Sequence, residues 1–276
     1  KWGRYSILGF NIERVLVVAD GKTLLRCGDT ESELPGNPMD AIQRELARYR
    51  LACVPGLPRF YGGAVGYFSF ESVRYFERCG NIKTPHTAGF DDIHLFLTDD
   101  LVVFDTLSNT AKLVHCVHAD EFATLEEAFA AGTQALDDAE VMLFETPPVA
   151  PPDRPHRGDD PLRVAMTSNM SREQYEDMVR RAKEYICEGD VIQVVLAQHF
   201  TGEIHCDHLD IYRALRYVNP SPYIFYIKLD EKRAMVGSSP EMMAFFGEGV
   251  AQIRPIVGAR RRGDDLQEDE ALAQEF

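Results

Sequence analysis

Long hydrophobic runs are the first thing the chain lacks. None of its 276 residues falls in a run approaching the ~18 consecutive apolar residues of a transmembrane helix, and the first residues do not follow the basic-then-apolar pattern of a secretory leader. Positive charge is scarce as well: 29 Lys and Arg face 44 Asp and Glu, a formal charge of −15. That balance excludes non-specific nucleic-acid binding, which depends on clustered cations. It leaves small anionic substrates open, because a local cationic pocket can sit within an acidic surface. The six cysteines (Cys27, Cys53, Cys79, Cys116, Cys187 and Cys206) contain no C-x-x-C pair and follow no regular spacing. A disulfide framework or zinc site is therefore not expected. Most of the six are expected to be buried small hydrophobes in a reducing compartment, with the cytoplasm as the location.

The common catalytic signatures are missing too. The glycines of Tyr61-Gly-Gly-Ala-Val-Gly66 form neither G-x-G-x-x-G nor a P-loop. No Ser-His-Asp or Cys-His nucleophile pattern is visible. Two segments look metal-like, His115-Cys116-Val117-His118 and His205-Cys206-Asp207-His208. In the first, His115 and His118 point to opposite faces of a strand; in the second, Asp207 reads better as a helix cap. No metal ligand is assigned.

What is present suits a globular protein with a sizeable core: 45% of the residues are apolar and 26% charged. Six of the fifteen prolines fall between Pro147 and Pro161. Proline restricts itself and the residue before it, so residues 146–161 read as an extended linker between a domain over 1–145 and a second over 162–276. In the first, strands are expected at Tyr5–Phe10, Val15–Ala19, Leu95–Thr98, Leu101–Phe104 and Lys112–Val117. A helix starts at Asn37-Pro38, with Met39, Ile42, Leu46 and Tyr49 on one face, and another lies within Asp120–Met142.

In the second, Ser171-Arg-Glu-Gln174 fits a capping box, and a helix runs from there to Gly189. Asp190–Phe200 alternates as a strand, with Gln193 on an otherwise apolar face. A helix over Leu209–Val218, strands at Tyr223–Leu229 and Ala234–Val236, and a hairpin of Met242–Phe246 with Val250–Ile256 follow. The fold class is α+β, with packed, mostly antiparallel β-sheets flanked by helices.

Three features could carry chemistry. Gln193 is either a buried, satisfied glutamine or a donor/acceptor facing a pocket. Glu241 follows the tight turn Gly237-Ser-Ser-Pro240; it is either a turn carboxylate or, if partly desolvated, a general acid. Arg254-Pro-Ile-Val-Gly-Ala-Arg-Arg-Arg-Gly263 is either a solvated basic loop or a loop whose backbone near Gly258 accepts an anion.

The same segments, in order, carry a resemblance. Lys183–Gln198, Asn219–Ile227, Gly237–Met243 and Ile253–Gly263 resemble the chorismate-binding enzymes, most of all the large subunit (component I) of anthranilate synthase. Gly3–Phe10 and Tyr61–Glu77 resemble that subunit's N-terminal domain, so the likeness spans essentially the whole chain. The resemblance implies conversion of chorismate and ammonia to anthranilate and pyruvate in tryptophan biosynthesis. Mg²⁺ is implied at the substrate carboxylate, and a glutamine amidotransferase subunit (component II) as the ammonia source.

By resemblance, Glu241 is the acid that assists loss of the C4 hydroxyl, while Gln193, Val257, Gly258 and Ala259 contact substrate. Gln193 stands where the hydroxylating branches carry a lysine that activates water. Val257 stands where aminodeoxychorismate synthases carry a lysine nucleophile, and valine offers no such group. Ala259 replaces the family's usual threonine, losing a hydroxyl contact of ~1 kcal/mol.

Ser6, Asn219, Pro222, Tyr223 and Ile224 match positions of the family's site for L-tryptophan as feedback inhibitor. The family's metal ligands and catalytic histidine correspond to positions beyond Phe276, so Mg²⁺ ligands are expected outside this chain. Both ends read as cut, and a fragment inactive by itself is expected. The alternatives are an aminodeoxychorismate synthase component I and a tryptophan-binding regulatory module without catalysis.

Overall fold

Tight turns between short strands organise the N-terminal part of the computed structural model, which describes residues 3–52, 54–78, 89–145, 165–247, 249–253 and 265–274. After β1 (Tyr5–Phe10), strands β2 (Arg14–Ala19) and β3 (Lys22–Cys27) are joined by Asp20-Gly21 with φ of 51° and 77°. Two successive left-handed residues match the twist of an antiparallel pair, and Asp-Gly tolerates them. Next come β4 (Thr30–Leu34) and α1 (Pro38–Leu46). The helix starts where expected: Asn37 accepts the Met39 N–H at 2.8 Å, and Pro38 takes a position with no helical N–H to satisfy. β5 (Gly63–Phe68), a 3₁₀ turn at Phe70–Tyr75, β6 (Ile93–Thr98), β7 (Asp100–Asp105), β8 (Thr110–His115) and α2 (Leu125–Glu145) complete this part.

The C-terminal part contains β9 (Thr167–Ser168), α3 (Arg172–Glu188), β10 (Phe200–Thr201), α4 (His208–Val218), β11 (Tyr223–Lys228), β12 (Ala234–Ser239), β13 (Phe245–Gly247), β14 (Val250–Gln252) and α5 (Leu266–Gln274). The capping box forms as expected, with Ser171 and Gln174 satisfying each other's backbone N–H groups, and Gly189 ends α3 at φ 85°. The chain divides into two compact units, Lys1–Ala150 and Pro151–Phe276. The proposed linker, apart from its surroundings, lies within residues 146–164, outside the described residues.

All sheet pairing among the described strands is antiparallel, and the fold is α+β. In the first unit a five-stranded sheet has the order β4-β3-β2-β6-β5 and a three-stranded sheet the order β1-β7-β8. Strand alternation sends Leu16, Val18, Ile93 and Leu95 to one face of the larger sheet, where they bury against Ile42 of α1. Asp99 alone separates β6 from β7, so one residue carries the chain from one sheet to the other.

The smaller sheet is tied at its end by an ion pair. Arg4 donates to both carboxylate oxygens of Asp105, at 2.9 and 2.6 Å, and the Leu107 N–H adds a bond at 3.0 Å. The Arg4 guanidinium, helped by Ser108 and these backbone donors, holds the Asp105 carboxyl well below the usual carboxylate range. A depressed folded-state pKa stabilises fully above the unfolded value of about 4, and this contribution is lost as pH falls towards the folded value. Arg4→Ala is therefore expected to move the onset of acid unfolding to higher pH, with little change near pH 7 beyond the lost pair. A pH titration of the circular dichroism signal checks this.

The second unit is built differently. Every buried residue among those described lies in the first unit; in the second, none is buried. The expected strand Asp190–Phe200 is not formed beyond Phe200–Thr201. No described strand pairs with it, and an unpaired extended segment has no ladder to hold it. Ile192 and Val195 are consequently 82% and 83% exposed. The expectation of buried cysteines is not met among the described residues: Cys187 and Cys206 are exposed, Cys27 and Cys116 are half-buried, and Cys53 and Cys79 lie outside the described residues. The hairpin β13–β14 turns where expected but is shorter than expected, and Gly237-Ser238-Ser239 belongs to β12 rather than to a turn.

Candidate functional site

The best-organised part of the second unit is α4 with the β11–β12 ribbon. Asp207 caps α4 by accepting the Leu209 N–H at 2.7 Å, which is the role expected for it over metal binding. At the other end Asn219 closes the helix, its N–H reaching Leu215 O at 2.9 Å, while its own carbonyl accepts the Ser238 hydroxyl at 2.6 Å. Asn219 thus joins the end of α4 to β12. Pro222 then leads into β11, which pairs Tyr223 with Ser239, Ile224 with Ser238 and Phe225 with Gly237.

Alternation gives the ribbon two faces. Tyr226 stands 6.0 Å, ring centre to ring centre, from Tyr212 of α4, which identifies the helix-covered face and places Ile224 on it. Tyr223 and Phe225 occupy the other face, where Phe225 lies over Gly237 so closely that a Cβ at position 237 would overlap the ring. At the far end, Asp230 accepts from the Arg233 guanidinium and from the Lys232 and Arg233 N–H groups. The Arg233 guanidinium and these N–H groups bring its carboxyl down to about 2, fixing the turn between the strands.

Glu241 lies just past the end of β12, opposite the start of β11. The Ser239 hydroxyl donates to the Glu241 carbonyl at 3.1 Å and accepts the Glu241 N–H at 3.4 Å. This pins the backbone of Glu241 and leaves its exposed carboxyl without a hydrogen-bond partner among the described residues. Ser239 was not singled out from the sequence; a serine two residues before a carboxylate, with proline between, is the local signal that could have found it.

Of the expected site residues, Asn219, Pro222, Tyr223, Ile224 and Glu241 come together on this ribbon and its flanks. Gln193 does not join them through a strand: it is exposed, on a segment with no regular structure, which overturns both the buried and the strand-face expectation. Ser6 sits exposed on β1 of the first unit, opposite Phe104. Val257, Gly258 and Ala259 lie outside the described residues, as does the rest of the 254–264 segment. An open apolar depression of about 720 Å³ between α3 and β9–β10 is floored by Met170, Tyr175, Val179 and Phe200, and none of the expected residues lines it.

Among the described residues no group of three or more His, Cys, Asp or Glu side chains is placed to hold a metal ion. The described residues therefore form no Mg²⁺ site of their own. The first metal-like histidine pair serves structure instead. His115 Nδ1 lies 2.7 Å from Asp100, and His118 Nε2 lies 3.1 Å from Asp99, which also accepts from Tyr49 at 2.8 Å. Burial pushes the nearby Cys116 thiol up to about 11, so it stays protonated and unreactive at neutral pH. Among the described residues, no helix is long and apolar enough to cross a membrane.

Proteins named anthranilate synthase component 1 from Acetivibrio thermocellus and Pseudomonas aeruginosa are 35% and 36% identical over the whole chain. One of the same name from Saccharomyces cerevisiae is 32% identical over 99% of it. The chain covers 56%, 56% and 52% of these relatives, so it spans about half their length. The crystal structure of anthranilate synthase component I from Streptococcus pneumoniae TIGR4 shares the fold, with a TM-score of 0.72 over 99% of this chain and 56% of that one, at 24% identity. The family model described as chorismate binding enzyme matches residues 4–276, and on that match the chain belongs to the chorismate-binding enzyme family.

Proposed function

We propose that this chain is part of the large subunit of an anthranilate synthase, a lyase that converts chorismate and ammonia to anthranilate, pyruvate and water in tryptophan biosynthesis. The observation that carries the reading is the whole-chain likeness to relatives named anthranilate synthase component 1, in a sequence with Val257 and no lysine nucleophile at that position.

Glu241 is the group proposed to protonate the departing C4 hydroxyl, so that it leaves as water. The Ser239 hydroxyl acts on the backbone of Glu241, fixing where the carboxyl starts while leaving it free to meet substrate. Gln193, Val257, Gly258 and Ala259 are proposed to line the same substrate. Asn219, Pro222, Tyr223 and Ile224, with Ser6, are proposed to bind tryptophan as feedback inhibitor. Mg²⁺ is proposed to be held by residues of the relatives' additional length. Ammonia is proposed to come from a glutamine amidotransferase subunit, and the cytoplasm is the proposed location.

The reading is tested by giving a protein of the relatives' full length, containing this sequence, chorismate, Mg²⁺ and excess ammonium, which bypasses the amidotransferase. Anthranilate and pyruvate in equal amounts are the expected products. An amino-chorismate product without pyruvate release would assign the aminodeoxychorismate branch instead. Tryptophan binding without chorismate consumption would assign the regulatory module.

A further inference from the structure

Three side chains from separate elements close on Asp99, the residue at which the chain crosses from the larger sheet of the first unit to the smaller. Arg14 comes from β2 of the larger sheet, Tyr49 from just past α1, and His118 from just past β8 of the smaller sheet. The group is largely out of water: the side chains of His118, Arg14 and Asp99 are 10%, 13% and 23% exposed. Arg14 Nη2 lies 2.7 Å from His118 Nε2, 3.2 Å from the Tyr49 hydroxyl and 3.3 Å from Asp99 Oδ2. His118 Nε2 lies 3.1 Å from Asp99 Oδ1, which also accepts the Tyr49 hydroxyl at 2.8 Å.

A single proton decides which of these groups bond. A guanidinium has only protons to give, so Arg14 reaches His118 Nε2 at 2.7 Å only when that nitrogen is a bare acceptor and the ring proton sits on Nδ1. In that state Nε2 offers nothing to Asp99, and the Arg14–His118 bond ties β2 of one sheet to the end of the other. A second proton goes to Nε2. It turns the acceptor into a donor facing Asp99 Oδ1, and it sets a positive imidazolium against the Arg14 cation.

The other groups facing this cluster are held in fixed states. Burial, and then the bond to Asp99, pushes the Tyr49 hydroxyl far above its ordinary range, so it stays a phenol. The Cys116 thiol stays protonated. Glu121, which also acts on Arg14, accepts from Arg48 at 2.7 Å, and Asp100 is engaged by His115 at 2.7 Å. We infer that His118 is a proton-operated latch between the two sheets: neutral, it holds Arg14; protonated, it releases Arg14 and holds Asp99. The latch depends neither on the reading of Glu241 nor on the reaction.

The test follows the 276-residue chain, labelled with nitrogen-15 in histidine and arginine, by NMR from about pH 8 to about pH 5, the range in which an imidazole changes charge. At the upper end the His118 ring proton is expected on Nδ1. As His118 gains its second proton, protection of the Arg14 guanidinium protons, corrected for the intrinsic pH dependence of exchange, is expected to fall by at least about tenfold with the same midpoint, the effect of losing one charge-assisted hydrogen bond. His118→Gln presents an amide oxygen to Arg14 at every pH and is expected to abolish the step. His115→Gln, which removes the imidazole on Asp100, is expected to keep it. Circular dichroism checks that both variants are folded.

A ring proton on Nε2 at the upper end would overturn the latch. So would His118 staying in one state across the range, Arg14 protection that ignores the His118 titration, or a step that persists in His118→Gln. Should His118→Gln not fold, the two resonances of the parent chain decide by themselves.

Discussion

Gly66→Ala is expected to destabilise the first unit by about 3 kcal/mol or more. Gly66 lies on β5 opposite Leu95 of β6, and the space a Cβ would need is filled by backbone. That atom would overlap the His94 carbonyl oxygen and stand 2.8 Å from the His94 carbonyl carbon and 2.9 Å from Leu95 Cα. A side chain could rotate away; a strand cannot. β6 carries Ile93, Leu95 and Leu97, all buried, so moving it opens the core. Overpacking costs about 1–3 kcal/mol where side chains can adjust. Here the loss is expected at the top of that range or above, against a total stability of about 5–15 kcal/mol.

The internal comparison is Gly21→Ala, where no atom lies within 4 Å and only the positive φ of 77° opposes a side chain. A cost of roughly 1–2 kcal/mol is expected there. Urea denaturation of the two variants checks the contrast. Equal midpoints would show that β5 and β6 do not pack as closely as described.

The second large effect concerns the reaction. In a protein of the relatives' full length, Glu241→Gln is expected to lower kcat by about 10²–10⁴-fold, the usual loss when a general acid is removed. The amide has the carboxyl's shape, and the bonds from Ser239 go to the backbone of residue 241, so the local structure should survive. Far-ultraviolet circular dichroism and the melting temperature check that it does. Turnover within threefold of the parent would remove Glu241 from the role of acid.

Local chemistry explains which elements could be read from the sequence. α1, α3 and α4 each announce themselves by a cap that forms as written: Asn37 before Pro38, Ser171 with Gln174, and Asp207. β11 shows itself as an aromatic and β-branched run between Pro222 and the polar turn at Asp230. β3, β4 and β5 were not expected. β4 alternates glutamates that pair with Arg26 and Lys22 across the sheet, so its strand character comes from its neighbour, and the two glycines of β5 dilute its pattern.

The opposite failure is Asp190–Phe200, where a β-branched, apolar run is not enough without a partner strand. Pattern states what a segment can do, and pairing decides whether it does. The candidate site divides the same way. Residue type and spacing left Glu241 as either a turn carboxylate or an acid, and only the resemblance to a family gave it a role. Its fixed position, held by Ser239, depended on a hydroxyl–backbone contact that periodicity does not display.

The central claim is that this sequence contributes to chorismate chemistry without completing it. Anthranilate fluorescence tests that most directly, with the 276-residue chain and a protein of the relatives' full length assayed side by side in chorismate, Mg²⁺ and excess ammonium. The account predicts rising anthranilate fluorescence from the longer protein and none from the shorter. Turnover by the 276-residue chain alone, or a longer protein that leaves chorismate untouched, would contradict it.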